Sequence, residues 1–368
     1  MLHRRGFLGS LLGSLLLTSR SARAEIPGAK AASDVLAKAV RDGQVRAATL
    51  CVMQRGDVVR EHFGAGTSNE SMFLLGSITK PICLTAVMTL FDQEKFSLDD
   101  PVNRYLPAFA GEGREQVTMR HLMTHTSGLP DQVANNAKLR AEHAGLDEFV
   151  AETMRTPLSF PAGSNYQYSS MGTLLATRVG EVLSGMAIDK LVAETVFKPL
   201  EMRRSVLGLG NYKLEDMIAC QTEQAAPESG AGDPAAKSWD WNSQYWRGLG
   251  APWGGGHSSA EDVAKFLAEF LWKRGHAVKP STATLMTANH NPTGLTPRGL
   301  GFAVGMGAGS PGCSELTFGH TGSTGTICWA DPKQETVCVV LTSLPGRAMT
   351  PHPRQLAADR VAMAFGPA

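Results

Sequence analysis

Apolar residues recur along this chain in two different rhythms. Near the start, Arg46–Gln54 and Val58–Phe63 are short, β-branched-rich runs joined through Arg55-Gly56-Asp57, which predicts a hairpin. Strand patterns return near the end, over Leu300–Met306, Leu316–His320, Thr326–Ala330 and Thr336–Leu341. Between them the spacing is mostly helical, most clearly over Pro101–Leu106, Val117–Met123, Leu146–Met154, Gly172–Leu183 and Ala187–Phe197. Ser259-Ala260-Glu261-Asp262 opens a further helix with capping-box spacing. An amphipathic helix is expected over residues 28–41 and a last helix from about Pro353 to Phe365, and residues 224–237 read as a loop. Strand pairs at both ends around a helical middle predict one antiparallel sheet built by both termini, covered by helices, with a mainly helical lobe inserted. In α+β terms, the sheet part covers about 25–84 and 295–368, and the lobe about 85–294.

One helix differs from the rest. From Ile82 to Phe91 the residues are apolar on nearly every side, so that helix is buried rather than amphipathic. It begins near Ser77, with Pro81 in its first turn, where a missing N–H costs little.

The chain has 368 residues, 43% hydrophobic and 19% charged, ample for a large core. Its net charge of +1 is misleading. The first 24 residues carry four Arg and no acid, and without them 31 basic residues face 34 acidic ones. No basic stripe for nucleic acid remains. That N-terminus, His3-Arg4-Arg5-Gly6-Phe7-Leu8, an apolar stretch to Leu17 and Ala22-Arg23-Ala24, reads as an export signal ending at residue 24, with a twin-arginine pattern. The apolar stretch is too short to span a bilayer, so residues 25–368 are expected to form a soluble, exported, periplasmic or secreted domain. The six Cys show no metal spacing. Cys328 and Cys338 flank Asp331–Glu335 symmetrically, which would face them across a hairpin; two small core thiols is the preferred reading, a disulfide the alternative.

Lys80 follows Ser77 by three residues, on the same face of the buried helix. A serine is a weak nucleophile until a base takes its proton, and a buried amine of lowered pKa can do so. The helix start also offers N–H groups to an oxyanion. In isolation the same spacing is better read as an N-cap serine and a solvated lysine. Two further stretches carry chemistry: Tyr168-Ser169-Ser170, in a Pro/Gly-rich loop entering a helix, and His320-Thr321-Gly322-Ser323, at a strand end whose glycine permits close backbone approach.

In that order, Ser77-x-x-Lys80, Tyr168-Ser169-Ser170 and His320-Thr321-Gly322 resemble the three motifs of the serine β-lactamase and penicillin-binding protein superfamily. The similarity is closest to its class C-like branch of β-lactamases, D-Ala-D-Ala carboxypeptidases, D-aminopeptidases and carboxylesterases. Arg120–Leu129, Gly254–Ser259, Phe197–Met202 and Gly299–Phe302 add to the resemblance, which spans about residues 30 to 345. It implies a β-lactamase/transpeptidase-like fold and a cofactor-free acyl-enzyme mechanism on a small ester, amide or peptide. Ser77 would be the nucleophile, with Lys80 and Tyr168 sharing its proton and His320 positioning Tyr168 or the substrate. The N–H groups of Ser77 and Ser323 would hold the oxyanion. Thr321 and Ser323 would bind a substrate carboxylate beside Gly322. Two departures stand out: Ser170 where the second motif has Asn, and His320 where many relatives carry Lys. Both point away from efficient β-lactam turnover and toward an esterase or D-amino-acid peptidase. Ser170 would retain the contact that the Asn makes with the lysine. The other reading, a non-catalytic protein that binds cell-wall peptide, sits poorly with the retained Ser77, Lys80 and Tyr168. His121 and His125 have helical zinc-ligand spacing but no intervening Glu, so no metal is expected. Oligomeric state is open.

Overall fold

The computed structural model describes residues 26–224 and 229–365; the expected export signal lies outside them. Its main sheet contains β1 (Ala48–Gln54) and β2 (Asp57–Phe63) from the N-terminal part. The others are β6 (Ala303–Val304), β7 (Phe318–Gly322), β8 (Thr326–Asp331) and β9 (Thr336–Thr342). Their order is β2-β1-β9-β8-β7-β6, with every neighbouring pair antiparallel. The N-terminal hairpin therefore docks on the C-terminal one. The β1–β2 turn is tighter than expected, because Gln54 pairs with Asp57 and only Arg55 and Gly56 lie between them. Both have positive φ (47° and 94°), the twist a two-residue hairpin turn demands.

A period of two explains why the sheet strands read as continuous apolar runs. Leu50, Val52, Ile327, Trp329, Cys338 and Val340 face one side, against α1 (Ala29–Arg41) and α11 (Pro353–Met363). Cys51, Cys328, Ala330, Val337, Val339 and Leu341 face the other, toward α9 (Ala260–Trp272). Both faces are buried, so neither alternates with polar residues. The same register settles the cysteine question. Cys328 pairs with Val339 and Trp329 with Cys338, so four residues close the hairpin rather than five. That one-residue offset sends the two thiols to opposite faces. All six cysteines are free and buried.

The segment between the sheet halves holds α2 (Thr79–Asp92), α3 (Met119–Met123), α4 (Asn136–Ala141), α5 (Leu146–Arg155) and α6 (Ser170–Ser184). It continues with α7 (Ile188–Val192), α8 (Gln244–Leu249), α9 and α10 (Pro280–Thr287). α2 is the buried helix anticipated from its composition: every residue from Thr79 to Leu90 is buried, against α6 and α7. Pro101–Leu106 supplies only a 3₁₀ turn over Val102–Arg104. The strand expected over Leu300–Met306 shrinks to the two residues of β6. A small second sheet was not anticipated. In it β5 (Gly256–Ser258) lies between β3 (Phe73–Leu74) and β4 (Ser205–Leu207). The triple glycine thus ends in a strand rather than forming only a turn. Glycine is needed there because a Cβ on Gly256 would sit 2.9 Å from Thr79 Oγ1, which accepts the Gly256 N–H. This sheet brings Trp253–Gly256 against the start of α2.

Candidate active site

Ser77 stands in the 3₁₀ turn Gly76–Ile78 that leads into α2. Gly76 has φ 56°, and a Cβ there would lie 3.1 Å from the Ser323 backbone N, so the turn presses directly on the β7–β8 connection. Two hydroxyls tie these segments: Thr324 Oγ1 donates to the Leu74 carbonyl at 2.6 Å, and Thr326 Oγ1 to that of Leu75 at 2.7 Å. The chain entering Ser77 and the chain around Ser323 are thereby locked together, although some 250 residues separate them.

Lys80 lies within the first turn of α2 and is 1% exposed. Its Nζ donates to Ser77 Oγ at 3.0 Å and to the Trp253 carbonyl at 2.9 Å. Burial pulls its pKa down to about 7; Asp131 opposes that depression and Arg298 adds to it. Nζ sits 4.7 Å from the centre of the Tyr168 ring. The Tyr168 phenol is also buried, which raises its pKa, while Ser77 beside it eases ionisation. Its hydroxyl makes no well-formed hydrogen bond among the described residues.

His320, on β7, is 5% exposed, with its ring centre 6.0 Å from that of Tyr168. A carbonyl can only accept, so the 2.7 Å contact of Nδ1 with the Thr321 oxygen assigns the proton to Nδ1. Burial, reinforced by Arg298 and Lys80, holds the imidazole pKa well below its ordinary value. The ring is neutral near pH 7, and Nε2 presents a lone pair with no partner among the described residues. Thr321 and Ser323 are exposed on the cleft and Gly322 is buried. A Cβ on Gly322 would fall 2.1 Å from the Leu75 carbonyl oxygen, so no larger residue fits.

Ser170, the first residue of α6, behaves differently from its expected role. Its N–H and its hydroxyl both donate to Asp131 Oδ1, at 2.9 and 2.6 Å. It makes no hydrogen bond to Lys80 among the described residues; the carboxylate of Asp131 competes for the hydroxyl and wins. The expected zinc-spaced histidines are used separately. His121 Nδ1 accepts the Thr118 N–H, and His125 Nδ1 accepts that of Ser169. His125 packs 4.5 Å from the Tyr168 ring.

All eight expected site residues except Lys80 line one cleft of about 440 Å³, and Lys80 lies beneath it, bonded to Ser77. Sequence reasoning missed several of their neighbours. Asp131 is the sole carboxylate among the lining residues, which include Arg140, Arg298, Arg347 and Arg354. Trp241, Trp246 and Trp253 supply an aromatic wall. Arg354 Nη1 donates to the carbonyl oxygens of Gly322 and Thr326, holding the end of β7. Asp131, Trp253 and Arg298 each sit within two residues of a stretch already marked in the sequence, at Leu129, Gly254 and Gly299. That adjacency was the available signal.

A family model described as Beta-lactamase matches residues 32–362. Esterase EstB of Burkholderia gladioli is 32% identical over 196 residues, 46% of this chain and 49% of the esterase, so the match spans about half of that relative. A putative D-alanyl-D-alanine carboxypeptidase of Escherichia coli (strain K12) is 25% identical over 318 residues, 79% of this chain and 73% of that one. Among solved structures, EstCE1, a hydrolase with promiscuous acyltransferase activity, superposes with a TM-score of 0.75 at 22% identity, covering 91% of this chain and 98% of its own. The D-amino acid amidase from Ochrobactrum anthropi SV3 complexed with D-phenylalanine gives 0.75 at 20% identity, over 92% and 99%. At these identities the superpositions establish the fold alone.

Proposed function

The chain belongs to the beta-lactamase family, and from that premise we propose that it is a serine hydrolase that cleaves a small ester or amide through an acyl-enzyme on Ser77. The observation that carries this reading is the 3.0 Å contact between Ser77 Oγ and the Nζ of a fully buried Lys80 whose pKa lies at about 7. An amine so depressed is substantially neutral at neutral pH, and a neutral amine 3.0 Å away can take the serine proton as Oγ attacks the carbonyl. The N–H groups of Ser77 and Ser323, on segments locked together by Thr324 and Thr326, would hold the developing oxyanion. As the tetrahedral adduct collapses, the proton passes through Lys80 or Tyr168 to the leaving oxygen or nitrogen. Water then attacks the ester on Ser77, with the same groups taking its proton. His320 Nε2 is an acceptor, so it suits a hydrogen bond from the Tyr168 hydroxyl.

The substrate class is a carboxylic ester or a D-amino-acid amide or peptide, in keeping with the esterase, carboxypeptidase and amidase among the similar proteins. The exposed hydroxyls of Thr321 and Ser323 would meet a substrate carboxylate. Commitment of Ser170 to Asp131 supports weak β-lactam turnover, because the hydroxyl is unavailable to an acyl amide. Action outside the cytoplasm follows from the expected export signal. No helix among the described residues is long and apolar enough to cross a membrane.

Intact-protein mass spectrometry after incubation with a fluorophosphonate and, separately, a penicillin tests the reading. A single fluorophosphonate adduct on Ser77, absent in a folded Ser77→Ala variant that also lacks turnover, is expected. A persistent penicilloyl adduct would shift the substrate toward peptidoglycan peptides. Labelling that survives Ser77→Ala, or none in the wild type, would overturn the assignment.

A further inference from the structure

The buried phenol of Tyr168 needs a positive charge nearby if it is to exchange its proton readily, because burial disfavours the phenolate. Lys80 cannot be that charge while it serves as base, since the base is the neutral amine. His320 cannot either, because its single ring proton is given to the Thr321 carbonyl and the ring is neutral. Arg354 is occupied with the backbone of Gly322 and Thr326, and Arg140 stacks 3.9 Å above Trp246. Arg347 is exposed at the rim.

Arg298 is left, and its geometry fits. Its guanidinium carbon lies 5.4 Å from the Tyr168 ring centre and 5.6 Å from that of Tyr166. Nε donates to the Tyr166 hydroxyl at 3.0 Å, which fixes the side chain in place. Nη1 is buried without a partner among the described residues, an unusual state for a guanidinium nitrogen. An arginine keeps its charge throughout the working pH range.

We propose that Arg298, tethered by Tyr166, is the fixed positive charge of the proton-transfer site, a positioning residue that holds the face of Tyr168 and supplies the cation that His320 does not. This rests on Ser77 and Lys80 acting as described above. The charge bears on every titratable group packed around it: it favours the deprotonated forms of Lys80, Tyr166, Tyr168, His125 and His320. Asp131 is the opposing charge, favouring protonated Lys80 and the phenol form of Tyr168. If Arg298 were only a structural tie to Tyr166, any donor would replace it and the charge would be irrelevant.

The test uses uncharged probes, so that binding of a substrate carboxylate cannot mimic the effect. The rate of Ser77 labelling by a neutral alkyl fluorophosphonate, and turnover of p-nitrophenyl butyrate, are followed against pH for wild type, Arg298→Lys and Arg298→Gln. Arg298→Gln should slow both on the order of tenfold or more at neutral pH. It should also move the acid limb to higher pH, because Lys80 then holds its proton longer. Arg298→Lys should keep the limb in place and restore most of the rate. Tyr166→Phe, which cuts the tether and leaves the charge, should give a smaller slowing with an upward shift, and it serves if Arg298→Gln does not fold. A slowing with an unmoved limb, or Arg298→Lys no better than Arg298→Gln, would overturn the inference while leaving the hydrolase reading intact. A wild-type protein that is not labelled would overturn both.

Discussion

Replacing Lys80 by Met removes a buried amine and keeps most of its volume, and the structure sets the size of the effect. In the unfolded chain the amine has its ordinary pKa of 10.5, and in the folded protein burial lowers it to about 7. Between those values the unfolded state binds more protons, so this group makes the protein gain stability as pH rises through that window. At about 1.4 kcal/mol per pH unit, the penalty at and below pH 7 is about 5 kcal/mol, and it vanishes above the unfolded value. The Met variant escapes it. Against this, the Trp253 carbonyl loses a donor, worth about 1 kcal/mol. Lys80→Met should therefore be more stable than wild type at pH 6.5, and its advantage should shrink by about 3 kcal/mol by pH 9.5. Urea unfolding of both proteins at the two pH values reads the difference directly, since groups that titrate alike in both cancel. The variant should also lose Ser77 labelling at every pH, whereas the wild-type rate should fall as pH drops through about 7. An advantage that is absent, or equal at both pH values, would refute a neutral buried amine and with it the base assigned here.

Two further outcomes follow from local geometry. Ser170→Asn should raise hydrolysis of a chromogenic cephalosporin by about tenfold, one hydrogen bond's worth, because an amide can satisfy Asp131 and still reach an acyl group; an unchanged or lower rate would show that this position does not limit β-lactams. Gly322→Ala should cost about 1–3 kcal/mol in chemical unfolding and slow Ser77 labelling, since its methyl would meet the Leu75 carbonyl and Thr326 Oγ1. A variant with unaltered stability would mean that β7 can retreat from the Ser77 turn.

The mixed fold was legible because its causes are local. Continuous apolar runs mark β1, β8 and β9 as buried strands, and the all-round apolar face of α2 marks it as central. That Ser77, Lys80, Tyr168 and His320 would come together was legible as well, since each lies in a short motif of particular residue types. Register was not legible. Symmetry about Lys333 suggested that Cys328 opposes Cys338, but β9 is also paired with β1, and that pairing fits the four-residue turn that separates the thiols. The strand in Gly256–Ser258 was hidden for a related reason: glycine has little strand preference of its own, and β5 exists because β3 and β4 lie on either side of it.

The amino-acid sequence by itself determined which motif residues enter the cleft and which elements deliver them, because propensity, apolar period and motif spacing are properties of neighbouring residues. Only the tertiary structure decided their states. Burial against the Trp253 carbonyl pulls the pKa of Lys80 down to about 7. His320 is neutral because burial, with Arg298 and Lys80 close by, holds its pKa well below the ordinary value. Ser170 turns from Lys80 because Asp131 lies against it, 39 residues away in the chain. Arg298 gains its place beside Tyr168 from a segment 130 residues distant. Desolvation and Coulomb fields are sums over everything nearby in space, and no local pattern encodes what folding will bring near.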